Sequence, residues 1–587
     1  MSTTRRSATF AALAVSFSLL AAACGSDEET ATDSTPTATE APGATEAPGA
    51  TEAPATTEGS ETTTGDTEAP VAEAAMRITY DIADTAVWED GSPITVADFD
   101  CTWKAVMNTP GSLSTTGYDQ ILSVEAGESD SQVVVEWAST YAPYKNVFSN
   151  SLVKAAAFED CNDLSEAFDG GIPYSGREWI IDSWSNEQLV MVPNPGYLGA
   201  NKPTVEKIVI VPAEDGPTLL KAGTVDFIFP QAYTGIDQEL ADPNVKFDAA
   251  PGGSFEGLYF QQDPALGGPF SDPVYRAAFA MSFDRDALYQ QIYAPFAQGL
   301  PLLDCGPIAP GPYCDDVFAG QYDPEGAVTL LTDAGWTMGA DGFWVNPDGE
   351  VPDVRWMINT GNTRRESTQE FMIPLLAEAG FKVRADNCEA LPCVFETRLP
   401  SLDYDLAMYI NTVIPDPSYL RSYGCDQIPS EENEFQGQNQ QGWCNEEATD
   451  LLIKADATID EAERTGYVKE VLQLMADDFM MLPTLQFPNV GAYRTDRTGN
   501  TNAEIANYRA ISDWYQWDDV DGDGTIVIGA EQFPTADCPN PITECANSSW
   551  YVWMVAFPIS PGPWNTTADQ QYVLDEMMAS EPVVEIL

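Results

Sequence analysis

The sequence predicts an α/β body divided into two or more lobes. Three observations lead there. At 587 residues the chain exceeds what one hydrophobic core organises. Apolar residues make up 44% of it, enough for a globular body. From Met76 onward, stretches with strand and helix periodicity alternate without a regular βαβ rhythm.

The first residues read as an export signal. Arg5 and Arg6 precede an apolar run, 10–20, that is too short to span a bilayer. Ala21-Ala22-Ala23 then leads to Cys24, a lipobox-like arrangement in which 1–23 is removed and Cys24 is acylated. Residues 24–75 are low complexity and repeat a unit seen in "ATEAPGATEAPGATEAP". Such a segment buries no core, and its prolines and charges keep it extended, as a stalk above a membrane.

Met76, Ile78, Tyr80 and Ile82 alternate with Arg77, Thr79 and Asp81, the pattern of a half-buried strand. Leu189–Val192 and Ile208–Val211 are strands on either side of a Pro-Asn-Pro-Gly turn. Tyr467, Val471, Leu474, Met475 and Phe479 share one helical face and read as core. Nothing from Met76 to Leu587 reads as a transmembrane span.

Composition removes several functions. With 26 basic and 92 acidic residues, a net of -66, the chain lacks the basic face that nucleic acid requires. The same charge opposes adhesion to anionic lipid, so contact with a membrane is expected through the lipid anchor only. Histidine is absent, which excludes Ser-His-Asp and Cys-His triads and histidine-based zinc sites. Of eleven cysteines, Cys24 is set aside for the lipid, and the remaining ten suit disulfides in an oxidising compartment. Neighbours in sequence suggest Cys305 with Cys314, Cys388 with Cys393, Cys425 with Cys444 and Cys538 with Cys545, leaving Cys101 and Cys161; sequence alone does not fix this connectivity.

Six stretches in order carry a resemblance. They are "VWEDGSPITVADFDCTW" (87–103), "PNPGYLGANKPTVEKIVI" (193–210), "LLKAGTVDFIF" (219–229), "DPVYRAAFAMSFDRDAL" (272–288), "YDPEGAVTLLTDAGW" (322–336) and "DYDLAMYINTVIPDP" (403–417). Together they resemble the extracellular solute-binding proteins of the peptide/nickel class, family 5, which feed ABC importers. The resemblance implies a type II periplasmic-binding-protein-like fold of cluster C, with two α/β lobes closing on a ligand cleft. Lobe I is expected from 76–253 and 489–587, lobe II from 254–488. The implied partners are the transmembrane subunits of an ABC permease and a small solute, with the protein itself a monomer. Within the motifs, Gly91 is expected at positive φ, Asp98 as cap of a helix starting near Phe99, and Asp284-Arg285 in a structural ion pair.

Peptide-binding members hold the ligand's ammonium with an aspartate just before the Asp-Pro that here is Asp416-Pro417. Residues 411–415 supply no acid, and Asn411 stands where a tryptophan is usual. Ordinary recognition of a peptide N-terminus is therefore not expected; Asp416 itself is open to that role or to shaping the turn. Tyr259 and Gln261 are expected at the cleft, as are Trp179, in place of the family's tyrosine, and Arg177 two residues before it. Asp519, Asp521 and Asp523, with Gly524 sixth, resemble half of a calcium loop, but Ala530 occupies the twelfth position. An acidic linker is the other reading, and no other cofactor is expected.

Family members open with a strand of the form Gly-Thr-aliphatic-aliphatic-aliphatic-Gly, and the counterpart of that opening is expected at residues 525–587. "DGTIVIGAEQFPTADC" resembles it, with Thr525–Ile528 as the strand and Trp550 and Trp553 bordering the cleft. A circular permutation accounts for this, with the cut between 583–587 and 76–82. The rival is a truncated second copy, which would have difficulty burying a core. The expected function is a substrate-binding lipoprotein of an ABC importer for a peptide-like or other small polar solute, without enzymatic activity. The alternatives are a sensor or scaffold uncoupled from transport and a hydrolase built on paired carboxylates.

Overall fold

Where a strand's apolar residues alternate, the structure buries every second side chain. The computed structural model describes residues 73–230, 235–308, 311–412, 414–430, 437–499, 514–537, 539–543, 550–567 and 571–587. Cys24, Cys538, Cys545 and the side chain of Trp550 lie outside the described residues, as does the stalk up to residue 72. Residues 70–587 form one compact unit.

Fourteen strands build its two larger sheets, of four and ten strands. In chain order they are β1 (Met76–Asp81), β2 (Ile121–Ala126), β3 (Gln132–Trp137), β4 (Trp179–Trp184), β5 (Leu189–Pro193), β6 (Lys207–Pro212) and β7 (Phe227–Ile228). There follow β8 (Val245–Phe260), β9 (Asp353–Met357), β10 (Lys382–Ala385), β11 (Leu406–Thr412), β12 (Met481–Arg494), β13 (Thr525–Ala530) and β14 (Val583–Ile586). The small sheet runs β2-β3-β1-β14 and the large one β10-β9-β11-β8-β12-β7-β13-β6-β5-β4.

The long strands β8 and β12 pair antiparallel from Val245 opposite Arg494 to Tyr259 opposite Met481, and they connect the two halves of the large sheet. The expected lobe boundaries at 253/254 and 488/489 fall inside them. Register shifts at Pro483/Leu485 and Gln486/Pro488 accommodate the two prolines, which have no N–H to give the ladder. Alternation sends Leu258 and Phe260 into one core and Phe255 and Tyr259 into another on the opposite face. A third core joins Ile78 and Tyr80 of β1 to Ile526 and Ile528 of β13.

β13 lies parallel to both β6 and β7, inside the large sheet. β14 pairs antiparallel with β1, Met76 opposite Ile586, and Leu587 N donates to Ala75 O at 3.0 Å. Residues 525–587 are thus built into the same body as Met76 onward.

Local expectations meet the structure as follows. The strands at 76–82 and 189–192 are present, and Gly91 has φ 81°. The first helix spans Val96–Asn108, so Asp98 is its third residue and not the residue before it. From inside the first turn its carboxylate accepts Thr95 N at 2.8 Å, Ala155 N at 2.8 Å and Trp88 Nε1 at 3.2 Å. In the helix Glu461–Asp477 the buried face centres on Val468, Val471, Leu472 and Met475; Tyr467 and Leu474 flank it half-buried, and Phe479 lies beyond the helix end. Asp284 caps the helix Arg285–Leu288 while Arg285 pairs with Asp304 at 2.8 Å, so each is structural but they do not pair with each other. Among the described residues four disulfides are formed, Cys101–Cys161, Cys305–Cys314, Cys388–Cys393 and Cys425–Cys444. No helix among the described residues is long and apolar enough to cross a membrane.

Candidate functional site

Two distant stretches of the chain face each other across a chamber of about 210 Å³. One wall carries Tyr144 and Lys145, from the 3-10 turn Ala142–Asn146, with Gln571 and Tyr572. The other carries Tyr313, Asp416, Glu461 and Arg464. Near the chamber Asn146 Nδ2 donates to Ser418 Oγ at 3.3 Å, from one wall to the other, while Tyr572 OH donates to Asn146 Oδ1 within the first wall.

Asp416 performs two structural tasks at once. Its Oδ1 accepts Ser418 N at 2.8 Å, capping the turn Pro417–Tyr423. Both carboxylate oxygens accept from Arg464, Nη1 at 2.6 Å and Nη2 at 2.7 Å. Arg464 Nε donates to Ala455 O at 2.9 Å. Both side chains are buried, and a bidentate pair of this geometry is the form in which buried charges are tolerated. The pair engages both oxygens of Asp416 and compensates its charge. A second carboxylate, Asp456, stands 3.8 Å from Arg464. Burial first, and then the charge of Asp416, push its pKa up to about 7 against the pull of Arg464 and Arg421.

The other residues proposed from sequence are placed elsewhere. Trp179 is fully buried in the core beneath β4, not at a cleft, because strand alternation turns it inward. Arg177 is buried too, donating to Asn150 and Asn565 at 2.9 Å and Asp575 at 3.1 Å, and to Glu178 at 3.3 Å. Its guanidinium is consumed by this network. Tyr259 and Asn411 do come together: Asn411 Nδ2 donates to Tyr259 OH at 2.7 Å. Tyr259 is nonetheless fully buried and stacked on Tyr409 with centroids 4.1 Å apart, so it faces a core. Gln261 is buried at the end of β8, where its Oε1 accepts Asp263 N at 2.6 Å. Trp553 is half-buried on the short helix Trp550–Ala556, its ring 6.1 Å from that of Phe557. Carboxylate oxygens of Asp519, Asp521 and Asp523 lie within 4.8 Å of one another. Asp519 accepts Gly522 N at 2.8 Å and Gly524 N at 2.7 Å, which fixes the turn into β13.

Sequence reasoning missed Arg464, Lys145, Tyr144, Tyr313 and Tyr572. One signal was available. Arg464 stands four residues before Val468 on the helix's buried stripe, and a cation on an apolar face implies a buried acid opposite.

Comparison with known proteins gives this architecture its family. Residues 67–428 match the bacterial extracellular solute-binding proteins, family 5 Middle. The chain belongs to that family. Among family 5 relatives, the oligopeptide-binding protein OppA of Mycobacterium tuberculosis (strain ATCC 25618 / H37Rv) is 24% identical over 458 residues, 75% of this chain and 74% of that protein. Solved structures share the family 5 fold. The periplasmic EDTA-binding protein EppA superposes with a TM-score of 0.64 at 22% identity, covering 76% of this chain and 85% of that one. The oligopeptide-binding protein AppA of Bacillus subtilis, in complex with a nonapeptide, superposes with 0.59 at 18% identity, covering 76% and 87%. A family 5 chain is a substrate-binding protein of ABC importers.

Proposed function

We propose that the chain is a lipid-anchored substrate-binding subunit of an ABC importer that captures a small polar organic solute, peptide-like solutes included, and delivers it to a permease. The observation that carries this is the chamber itself. Its walls come from 142–145 and 571–572 on one side and 312–313, 415–416 and 459–464 on the other, so closing one wall on the other encloses what lies between. OppA and AppA, named for binding oligopeptides, support a peptide-like solute. The lipobox-like run ending in Cys24 supports the anchor, and the repeat after it supports a stalk. The role is non-catalytic: the reading rests on enclosure and release and requires no reacting group.

The order of segments is proposed to be a circular permutation. In support, β13 occupies an interior place in the large sheet while Leu587 and Ala75 sit hydrogen-bonded at the end of the β1–β14 pair. Mass spectrometry of small molecules released from the purified full chain tests the function. A defined solute, and co-purification of a permease with the anchored protein, are the expected results; neither appearing would remove the transport reading.

A further inference from the structure

The charges around the chamber do not cancel evenly. Asp416 and Arg464 satisfy each other, with Asp456 beside them. Glu461 is exposed as the first residue of the helix Glu461–Asp477, where water screens it and the helix N-terminus favours its negative charge. Lys145 is different. It is half-buried, and among the described residues its Nζ enters no ion pair and no hydrogen bond. Its ammonium lies 4.7 Å from the centre of the Trp564 ring, whose electron-rich face holds it in place without neutralising it.

Acidic residues number 92 against 26 basic ones, yet no carboxylate among the described residues pairs with Lys145 at the chamber wall. A partly desolvated ammonium is costly unless an anion compensates it. Tyr144, Tyr313, Tyr572 and Gln571 surround the space with neutral hydrogen-bonding groups and aromatic surface. A volume of about 210 Å³ holds the end group of a larger solute, or a small one entirely.

We propose that the chamber recognises a carboxylate-bearing solute, with Lys145 taking the carboxylate, and that it disfavours a free ammonium there because Arg464 already occupies Asp416. This rests on the solute-binding reading above and names the class of solute. A ligand carboxylate gains a charge-assisted hydrogen bond from Lys145. A ligand ammonium meets the like charge of Lys145 and finds the charge of Asp416 already compensated by Arg464.

Calorimetric titration of the full chain, freed of co-purifying compounds, uses four probes: Ala-Ala, N-acetyl-Ala-Ala, Ala-Ala-amide and N-acetyl-Ala-Ala-amide. The expected result is that N-acetyl-Ala-Ala binds about tenfold or more tighter than Ala-Ala-amide. Lys145→Met abolishes that preference and Lys145→Arg keeps it, with both variants melting like the parent. Equal or tighter binding of Ala-Ala-amide, or a preference that survives Lys145→Met, overturns the proposal and leaves solute binding standing. If no probe binds, the co-purifying compound decides. A carboxylate-bearing compound weakened about tenfold by Lys145→Met supports the proposal. A compound without a carboxylate, or one indifferent to Lys145→Met, overturns it alone, and no compound at all overturns the solute-binding reading as well.

Discussion

Arg464 grips Asp416 with both ends of its guanidinium, at 2.6 Å and 2.7 Å, across 48 residues of sequence. The ion pair joins the helix Glu461–Asp477 to the turn after β11, and it fixes one wall of the chamber.

Breaking this pair from one side leaves a buried charge alone. Arg464→Met is expected to cost on the order of 3 kcal/mol in urea denaturation. Adding Asp416→Asn removes the orphaned charge, so the double variant recovers a good part of that loss. Additive losses would show that the two side chains act independently.

Asp456 gives the fold a pH dependence of known sign. Its unfolded pKa is near 3.8 and its folded pKa is about 7, so between those values the folded state keeps a proton that the unfolded chain has released. Its contribution to stability therefore falls as pH rises through that window and levels off above it. Burial sets this first and the charge of Asp416 second, with Arg464 and Arg421 opposing them; the phenol of Tyr141 nearby is itself pushed up by burial and then by Asp456 and Asp416. Asp456→Asn is expected to match the parent near pH 4 and to be more stable at pH 8 by on the order of 2 kcal/mol, measured by denaturation at both pH values.

The placement of β13 and β14 makes two chain alterations diagnostic. Ending the chain at residue 524 removes an interior strand of the large sheet together with Ile526 and Ile528, and no cooperative thermal transition should remain. Joining residue 587 to residue 75 by a short turn and opening the chain between 500 and 524 should instead give a folded, cooperatively melting body. A permutant that fails to fold would count against the proposed ancestral order.

The disulfides should contribute unequally. Cys101–Cys161 closes a separation of 60 residues and Cys388–Cys393 one of 5. Loop-closure entropy then assigns about 4 kcal/mol to the first and about 2 kcal/mol to the second. Replacing each pair by alanine and comparing denaturation midpoints checks the ranking.

Sequence by itself determined what short-range patterning encodes. The alternation at Met76–Asp81 specified a half-buried strand, Thr525–Ile528 announced a strand far from where such a body should begin, and proximity along the chain suggested cysteine pairs that the structure then formed. These follow from periodicity and proximity along the chain. Trp179, Tyr259 and Arg177 were assigned to a cleft by their position in motifs, and only the packed structure showed which way each faces: two into cores and one into a closed polar network. The chamber was decided entirely in three dimensions. Asn146 and Tyr572 touch across 426 residues of sequence, and the fate of Asp416 depends on an arginine of a different helix. No local pattern fixes such meetings, because they join residues that only the packing of distant elements brings side by side.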